Sequence, residues 1–382
     1  MKVAVIGAGA WGLPAAAELA RRGHEITLID HHGPANDLSS SPGPTRIWRL
    51  AHPDRVRVRL ALRSVEAMER LAQRSGREVA LRRGLLWRDD EEVVAALVDA
   101  LTAEGVEYQL VPAEHVGERF PGMVPDGRAA VWQPEAGPVL AAASMAAQLD
   151  LFLAAGGTLE VGPTLREVEP TPSGLRLRFA HGIRRDADVA VLAPGPGAVE
   201  LLPALGLDVP LRPRLEQVVH FGPSAALPSG TDDLPCWIEG PLGEDEPGLY
   251  AMPTPGRGYK LGLDQAIRYP DPDDLDRTPD PHLVEKAAAR LGRSLTSVDP
   301  TPLDAQSCTW TMSPDNRFVL DVLPDGVVLA VGDCGEGFKF SALMGEVLAD
   351  LAEGRSADAD VATFGLARFA DGYPEPRHVL GR

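Results

Sequence analysis

Several residue types are scarce in this chain, and each scarcity excludes a class of protein. Its three cysteines, Cys236, Cys308 and Cys334, are too few and too widely spaced for a disulfide framework or a zinc site, so we predict no bound metal and a reducing compartment, the cytoplasm. The 37 basic residues face 55 acidic ones, and the net charge of −18 argues against nucleic acid or an anionic membrane surface as a partner. No apolar run is long enough to span a bilayer, so we predict no membrane helix.

Lysine is the scarcest charged residue. The chain has only Lys2, Lys260, Lys286 and Lys339, against 33 arginines. A lysine kept in so arginine-rich a chain is informative, because arginine cannot replace a compact ammonium group that can also lose its proton. The lysines are therefore candidates for functional residues.

The N-terminus predicts a β-α-β unit. Residues 2–6 are apolar, residues 13–23 have helical character and end on Gly23, and residues 25–30 form a second apolar run that ends on Asp30. Parallel strands that are joined in this way need a crossover helix. Glycines at motif spacing stand where a secretory signal would have its apolar stretch. A polar loop rich in proline, glycine and serine follows at 31–46, and loops of this length are often functional.

Later patterns extend the α/β character. They predict helices at 55–76, within 84–106 after a strand, at 138–156 and at 340–354, and strands within 158–182, 187–195 and 317–332, with short strands from about 210 to 305. A chain of 382 residues favours two domains. We predict a Rossmann-type nucleotide-binding domain built from segments 1–83, 140–212 and 306–370. The inserted β-rich substrate domain comprises 84–139 and 213–305.

A glycine fingerprint lies between the first strand and the first helix. In Gly7-Ala-Gly9-Ala-Trp-Gly12, the first glycine permits a tight turn, the second lets a pyrophosphate approach the backbone, and the third allows close packing of helix and strand. Asp30 would accept a hydrogen bond from a ribose hydroxyl. These residues predict a dinucleotide site, but they do not separate NAD from FAD.

Six short motifs occur in an order that resembles one family. They are the fingerprint, Thr45-Arg46-Ile47-Trp48-Arg49, ALRSVE at 61–66, GYKLG at 258–262, SCTWTMSPDNRFVLD at 307–321 and GEGFKFS at 335–341. Together they resemble the monomeric sarcosine oxidase and N-methyltryptophan oxidase group of the D-amino-acid-oxidase superfamily. The resemblance covers nearly the whole chain. It implies a D-amino-acid-oxidase-like fold, FAD as cofactor, and a monomer that acts on a small carboxylate-bearing amine and dioxygen.

The resemblance also assigns roles to single residues. Cys308 matches the cysteine that carries FAD as a thioether, a reasonable link because a thiolate is a strong nucleophile. Lys260 matches the lysine that promotes the reaction of reduced flavin with dioxygen, where a cation stabilises developing negative charge. Arg49 and Lys339, here called the carboxylate clamp, match the cations that bind the substrate carboxylate. Tyr250 matches a tyrosine retained at the site and completes the candidate catalytic set.

The remaining cofactor contacts are distributed along the chain. Arg46 matches an arginine near the flavin face, and Leu165 is placed where the family offers backbone to adenine. The glycine turn before the C-terminal helix favours negative charge on the reduced flavin. The predicted FAD contacts are Gly7, Gly9, Trp11, Gly12, Asp30, Thr45, Arg46, Leu165, Gly195, Cys308, Gly335, Gly337, Phe338 and Lys339.

The chain departs from the family at four positions. Glu336 and Asp264 stand where the family shows histidines, Trp310 replaces a tyrosine, and Trp237 replaces a smaller residue of the pocket wall. We expect the two acids to lie on the side of the pocket away from the carboxylate clamp. The altered wall predicts that the preferred substrate is an N-substituted glycine with a substituent larger than methyl.

These observations predict an FAD-dependent oxidase of a secondary amino acid, which releases an imine and hydrogen peroxide. One alternative is a dehydrogenase of the same fold that passes electrons to another acceptor. A second is an NAD-dependent reductase, in which Cys308 and the C-terminal glycine turn would have no purpose. A third is a flavin-binding protein without catalysis, against which Lys260, Arg49 and Lys339 argue.

Overall fold

The computed structural model describes residues 1–227, 230–243, 245–271 and 274–374. The strands in these ranges are β1 (Lys2–Ile6), β2 (Glu25–Asp30), β3 (Thr45–Arg49), β4 (Leu85–Arg88), β5 (Gln109–Val111), β6 (Ala130–Gln133), β7 (Ala136–Leu140), β8 (Thr158–Val161), β9 (Leu165–Thr171), β10 (Gly174–Phe179), β11 (Arg184–Ala187), β12 (Val189–Leu192), β13 (Arg212–Pro223), β14 (Cys236–Glu239), β15 (Leu249–Thr254), β16 (Gly258–Leu263), β17 (Val298–Met312), β18 (Val319–Leu323) and β19 (Val327–Val331). The α-helices are α1 (Gly12–Arg21), α2 (Arg55–Ser75), α3 (Glu91–Ala103), α4 (Val116–Arg119), α5 (Ala141–Ala154), α6 (Ala198–Ala204), α7 (Pro281–Ser294), α8 (Ser341–Ala352) and α9 (Ala359–Ala362).

The predicted β-α-β unit forms the centre of a six-stranded sheet. The strand order is β18-β19-β12-β1-β2-β8, and every neighbouring pair is parallel except β18 with β19. Strands buried on both faces read as continuous apolar runs, and β19 is buried along its whole length. Helix α1 packs against α5 and α8, and Gly345 on α8 permits this approach because an added Cβ would lie 2.8 Å from the Pro14 carbonyl oxygen.

A second sheet has eight strands in the order β17-β13-β16-β15-β14-β4-β6-β5. The sheet is antiparallel except for the parallel pair β14 and β4. Its register places Cys308 of β17 opposite Glu216 of β13, and Tyr250 of β15 opposite Gly262 of β16. Lys260 lies on β16, which stands between β13 and β15 in the sheet. Tyr250 and Lys260 therefore lie on adjacent strands, and Cys308 lies on β17, which is separated from β16 by β13 alone.

One predicted helix begins later than expected. The pattern predicts a helix over 138–156, but residues Ala136–Leu140 form β7, which pairs with β3, and α5 begins at Ala141. Proline lacks a backbone donor, and at Gly137 an added Cβ would lie 2.0 Å from the Leu81 carbonyl oxygen. Close backbone packing and pairing with β3 therefore outweigh the helical propensity of the first residues of this segment.

The two large sheets follow the predicted division of the chain closely. Every strand of the six-stranded sheet lies within the segments predicted for the nucleotide-binding domain. The eight-stranded sheet is formed by the substrate segments, except that β13 and β17 cross the expected boundaries at 212 and 306. The division into two domains stays a prediction. Within the described ranges, no helix combines the length and the apolar character needed to cross a bilayer.

Candidate active site

A cavity of about 480 Å³ connects the two sheets. Its lining includes the glycine fingerprint, the loop before β3, residues of β3, β15, β16 and β17, and the turn before α8. Many of the predicted site residues line it, namely Gly7, Gly9, Trp11, Asp30, Arg46, Arg49, Gly195, Tyr250, Lys260, Cys308, Gly335, Gly337, Phe338 and Lys339. Dispersed sequence motifs thus meet around one space.

The fingerprint turn leaves no room for side chains at two glycines. Gly7 has a φ of +98°, and a Cβ there would lie 2.1 Å from the Ala193 carbonyl oxygen. A Cβ on Gly12 would lie 1.9 Å from the Gly7 carbonyl oxygen. Gly12 does not line the cavity, so its part is to let α1 start close to β1. Trp11 joins this turn to the C-terminal glycine turn, because its indole nitrogen donates to the Gly337 carbonyl at 3.0 Å.

Asp30 lies at the carboxyl end of β2, as expected for a ribose acceptor. One carboxylate oxygen accepts from the Ala8 backbone N–H at 2.8 Å, and the other accepts from those of His32 and Gly33. The fingerprint turn, the start of α1 and this carboxylate fit the pyrophosphate and ribose of a dinucleotide such as FAD.

Two other predicted cofactor contacts lie outside the lining. Thr45 is buried, and its hydroxyl lies 2.8 Å from the hydroxyl of Thr254. Leu165 opens β9, and its side chain packs in a hydrophobic cluster with Ile29 and Leu177. The contact of the Leu165 backbone with adenine stays a prediction.

Lys260 is buried beside the cavity and is held by β3. Its ammonium group donates to the Thr45 carbonyl at 2.5 Å, and the same carbonyl accepts from Arg46 at 2.9 Å. Burial lowers the pKa of Lys260 well below its usual value, and the charge of Arg46 lowers it further. The proton on Lys260 is therefore held much less tightly than that of an ordinary lysine.

Cys308 is the cysteine that lines the cavity, whereas Cys236 and Cys334 are buried in hydrophobic clusters. Burial raises the pKa of Cys308, and the charges of Glu216 and Asp333 add to this. The charges of Arg46 and Lys260 act in the opposite direction without cancelling the rise. The thiol form is therefore favoured, and the two cations only reduce the cost of forming the thiolate, which is the nucleophilic form.

Tyr250 owes its position to a glycine of the GYKLG motif. An added Cβ on Gly262 would lie 2.4 Å from the Tyr250 ring, so only glycine leaves room for that ring on the neighbouring strand. Burial raises the pKa of Tyr250 well above its usual value, and the nearby Cys308 contributes in the same direction. The phenol therefore stays protonated and can donate a hydrogen bond.

Glu336 occupies the carboxylate clamp, which corrects the expectation that it lies away from it. A single oxygen, Oε1, accepts from Arg49 Nη2 at 3.0 Å and from Lys339 Nζ at 3.1 Å. Burial opposes ionisation of Glu336, but Lys339, Arg57 and Arg49 outweigh it and hold its pKa well below the usual value. Arg49 and Lys339 therefore lie together at one carboxylate of this chain, and their binding of a substrate carboxylate stays a prediction.

Burial also lowers the pKa values of the two cations of the clamp. It lowers the pKa of Arg49 to about 10, although the charge of Glu336 raises it. It lowers the pKa of Lys339 to about 7, again against the charge of Glu336. The Arg49 guanidinium also lies 4.7 Å from the centre of the Trp87 ring, a cation–π contact at the cavity wall.

Arg57 is a site residue that the sequence analysis missed. Its Nε lies 3.0 Å from Glu336 Oε2, and its Nη2 donates to the Asn316 carbonyl at 2.8 Å. Arg57 lies in the first turn of α2, where the Asp54 side chain accepts from the backbone of residues 56 and 57. The one indication in the sequence is that an arginine follows closely after the N-cap residue of a helix. This does not single out Arg57, because Arg55 and Arg59 also follow the same N-cap.

The other three departures lie in different surroundings. Trp310 lines the cavity, and so does Asp264, whose carboxylate accepts from Arg214 at 2.7 Å. Trp237 was expected in the pocket wall, and this is wrong, because it is fully buried in the core of the eight-stranded sheet. Side chains alternate along a strand, and the next residue, Ile238, lines the cavity instead.

Comparisons with known proteins agree with this geometry. Residues 2–351 match the family described as FAD dependent oxidoreductase. The chain is 31% identical over 359 residues to the monomeric sarcosine oxidase of Streptomyces avermitilis, with 92% of this chain and 93% of the relative covered. It is 27% identical to the human peroxisomal sarcosine oxidase over 96% of this chain and 95% of that protein.

A solved structure of NikD, described as an unusual amino acid oxidase essential for nikkomycin biosynthesis, superposes with a TM-score of 0.83. The two sequences are 26% identical, and the match covers 95% of this chain and 96% of that one. The family match spans both sheets and the cavity between them. This chain therefore belongs to the FAD-dependent oxidoreductase family, and its cofactor is FAD.

Proposed function

We propose that this chain is an oxidase of an N-substituted amino acid that produces an imine and hydrogen peroxide. The observation that carries the proposal is that one cavity is lined by the dinucleotide turn, by Cys308 and Lys260, and by the carboxylate clamp. Relatives that are named sarcosine oxidases support it. We further propose that the enzyme is a monomer in the cytoplasm.

The residues of the nucleotide-binding side would hold FAD. The turn through Gly7 and Gly9 and the start of α1 would bind the pyrophosphate, and Asp30 would bind the ribose. When bound there, FAD would supply the acceptor for a hydride from the carbon next to the substrate nitrogen and the donor of electrons to dioxygen. We propose that Cys308 attaches to it covalently and that Lys260 supplies the positive charge needed for the reaction with dioxygen.

The substrate side of the cavity would orient the amine. Arg49 and Lys339 would bind the substrate carboxylate, with Tyr250 as a nearby hydrogen-bond donor. No side chain needs to act as a strong base if the amine binds without its proton, and a buried site with several cations favours that neutral form.

The deciding experiment is a peroxide assay of the purified yellow protein. N-alkyl glycines, cyclic imino acids and primary amino acids are compared, and we expect peroxide from the first group or the second. Arg49→Met should raise KM for the best substrate, because it removes one carboxylate donor, whereas Arg55→Met, on the surface of the same region, should not. Anaerobic bleaching without peroxide in air would indicate a dehydrogenase. A colourless protein that is active with a nicotinamide cofactor would contradict the proposal altogether.

A further inference from the structure

The Glu336 carboxylate is placed where a ligand's carboxylate would bind. Its Oε1 takes a hydrogen bond from each member of the clamp, and Glu336 itself lines the cavity. The side chain is 4% exposed, so protein rather than solvent surrounds it. A ligand carboxylate that bridges Arg49 and Lys339 must therefore displace Oε1 or lie directly beside it.

The second terminal nitrogen of Arg49, Nη1, does not offer a ligand carboxylate another place to bind. Its Nη1 donates to the Ala51 carbonyl and lies 2.8 Å from Nδ1 of His52. Burial and the charge of Arg49 lower the pKa of His52 well below its usual value, so this ring is neutral and can accept. Both terminal nitrogens of Arg49 are thus engaged by groups of the chain itself.

Arg57 anchors Glu336 from the side opposite the clamp. It pairs with Oε2, the oxygen that the clamp does not use, and it is absent from the described residues that line the cavity. Its guanidinium is fixed by the Asn316 carbonyl and is close to the carboxylate of Asp54, at 3.6 Å. Glu336 can therefore give up its contacts through Oε1 and stay bound to Arg57 through Oε2.

We propose that Glu336, anchored by Arg57, is a built-in competitor for the carboxylate clamp and thereby determines specificity. The inference rests on the proposed function, because it concerns the same substrate site. Two carboxylates that share one pair of cations repel each other. The positive charge of the clamp is also partly neutralised by Glu336, so it attracts a ligand carboxylate less strongly. Ligands that offer only a carboxylate bind weakly, and good ligands add contacts elsewhere in the cavity.

The test measures the binding of acetate to the FAD-loaded protein, by calorimetry and by the change in flavin absorbance. Glu336→Gln keeps the shape of the side chain and removes its charge. We expect the Kd of acetate to fall by about tenfold or more, because a buried charge that opposes the ligand is gone. Acetamide, which has the shape of acetate without the charge, should gain nothing. Glu336 raises the pKa of Lys339, so removing its charge lowers that pKa further from about 7. The titrations are therefore done well below this value, and the pH dependence of the Kd is measured for both proteins.

A matched control is Glu346→Gln. Glu346 is also a glutamate of the C-terminal region, and it pairs with Arg70 at 2.8 Å, away from the cavity lining. Its substitution should leave the Kd of acetate unchanged. If Glu336→Gln folds poorly, Glu336→His serves instead, because it also removes the carboxylate, and burial beside the same cations, which lowers the pKa of His52, disfavours its protonation.

An unchanged Kd in the charge-free variants would make Glu336 a structural ion pair and overturn the proposal. Weaker acetate binding in these variants would mean that Glu336 helps the site to bind a carboxylate, and it would also overturn the proposal. Neither result depends on turnover. A lack of peroxide from every amine would refute the proposed oxidase and leave the acetate measurement to decide the role of Glu336.

Discussion

At the residue scale, the attachment of FAD depends on one thiol. Cys308 lines the cavity, and the charges of Arg46 and Lys260 partly offset the burial that raises the pKa of its thiol. We expect acid-precipitated protein to stay yellow and its intact mass to exceed that of the polypeptide by one FAD. Cys308→Ala should release the flavin on denaturation, whereas Cys236→Ala, at a buried position outside the lining, should retain it. Complete loss of colour from the wild-type protein would disprove the link.

Lys260 yields a second prediction at the same scale. Lys260→Met should slow the reaction of the reduced enzyme with dioxygen by orders of magnitude and change anaerobic reduction by substrate much less, because the charge matters only when superoxide forms. Since burial lowers the pKa of Lys260, the wild-type rate with dioxygen should fall as pH rises, at values well below those at which lysine usually deprotonates. Stopped-flow measurements over pH check both points. Lys286→Met, on α7, is the control, and equal damage to both half-reactions would assign Lys260 a different role.

At the scale of elements, the first turn of α2 connects helix capping to the site. Asp54 caps this turn, which carries Arg57, and Asp90 caps α3 in a similar way. Replacing either by alanine should lower the free energy of unfolding by about 1 kcal/mol, measured by urea denaturation. Only Asp54→Ala should also shift the flavin absorbance, because Arg57 holds Glu336 in the cavity wall. Identical spectra for both variants would show that capping does not reach the site.

Elements also show what the sequence could and could not predict. The β-α-β unit, α2 with its Gly76 end and the antiparallel pair β18–β19 follow from local periodicity and glycine placement. The start of α5 could not be predicted, because pairing of β7 with β3 depends on residues about 90 positions away. Trp237 shows the same limit, since a shift of one residue on a strand moves a side chain from cavity to core.

At the scale of the whole molecule, the site is assembled from distant segments. Motif matching found Arg49, Lys339 and Glu336, but it did not find that they contact one another, because the pairing of side chains depends on how the loop after β19 meets β3 and α2. Arg57 was missed for this reason. The sequence thus predicted which residues line the cavity far better than which charges neutralise each other within it.

Substrate choice is the prediction that depends on the whole cavity. Glu336 uses part of the attraction of the clamp, so a small substrate such as sarcosine, whose main anchor is its carboxylate, should bind poorly. A substituent larger than methyl can add apolar contacts to Trp87, Ile238 and Trp310, all of which line the cavity. Such contacts give about 1–3 kcal/mol of discrimination. We expect kcat/KM to be higher for larger N-alkyl glycines than for sarcosine, and Glu336→Gln should narrow the difference by improving sarcosine most. If sarcosine is the best substrate by about tenfold or more, the clamp binds a small carboxylate well despite Glu336, and the apolar wall does not select the substrate.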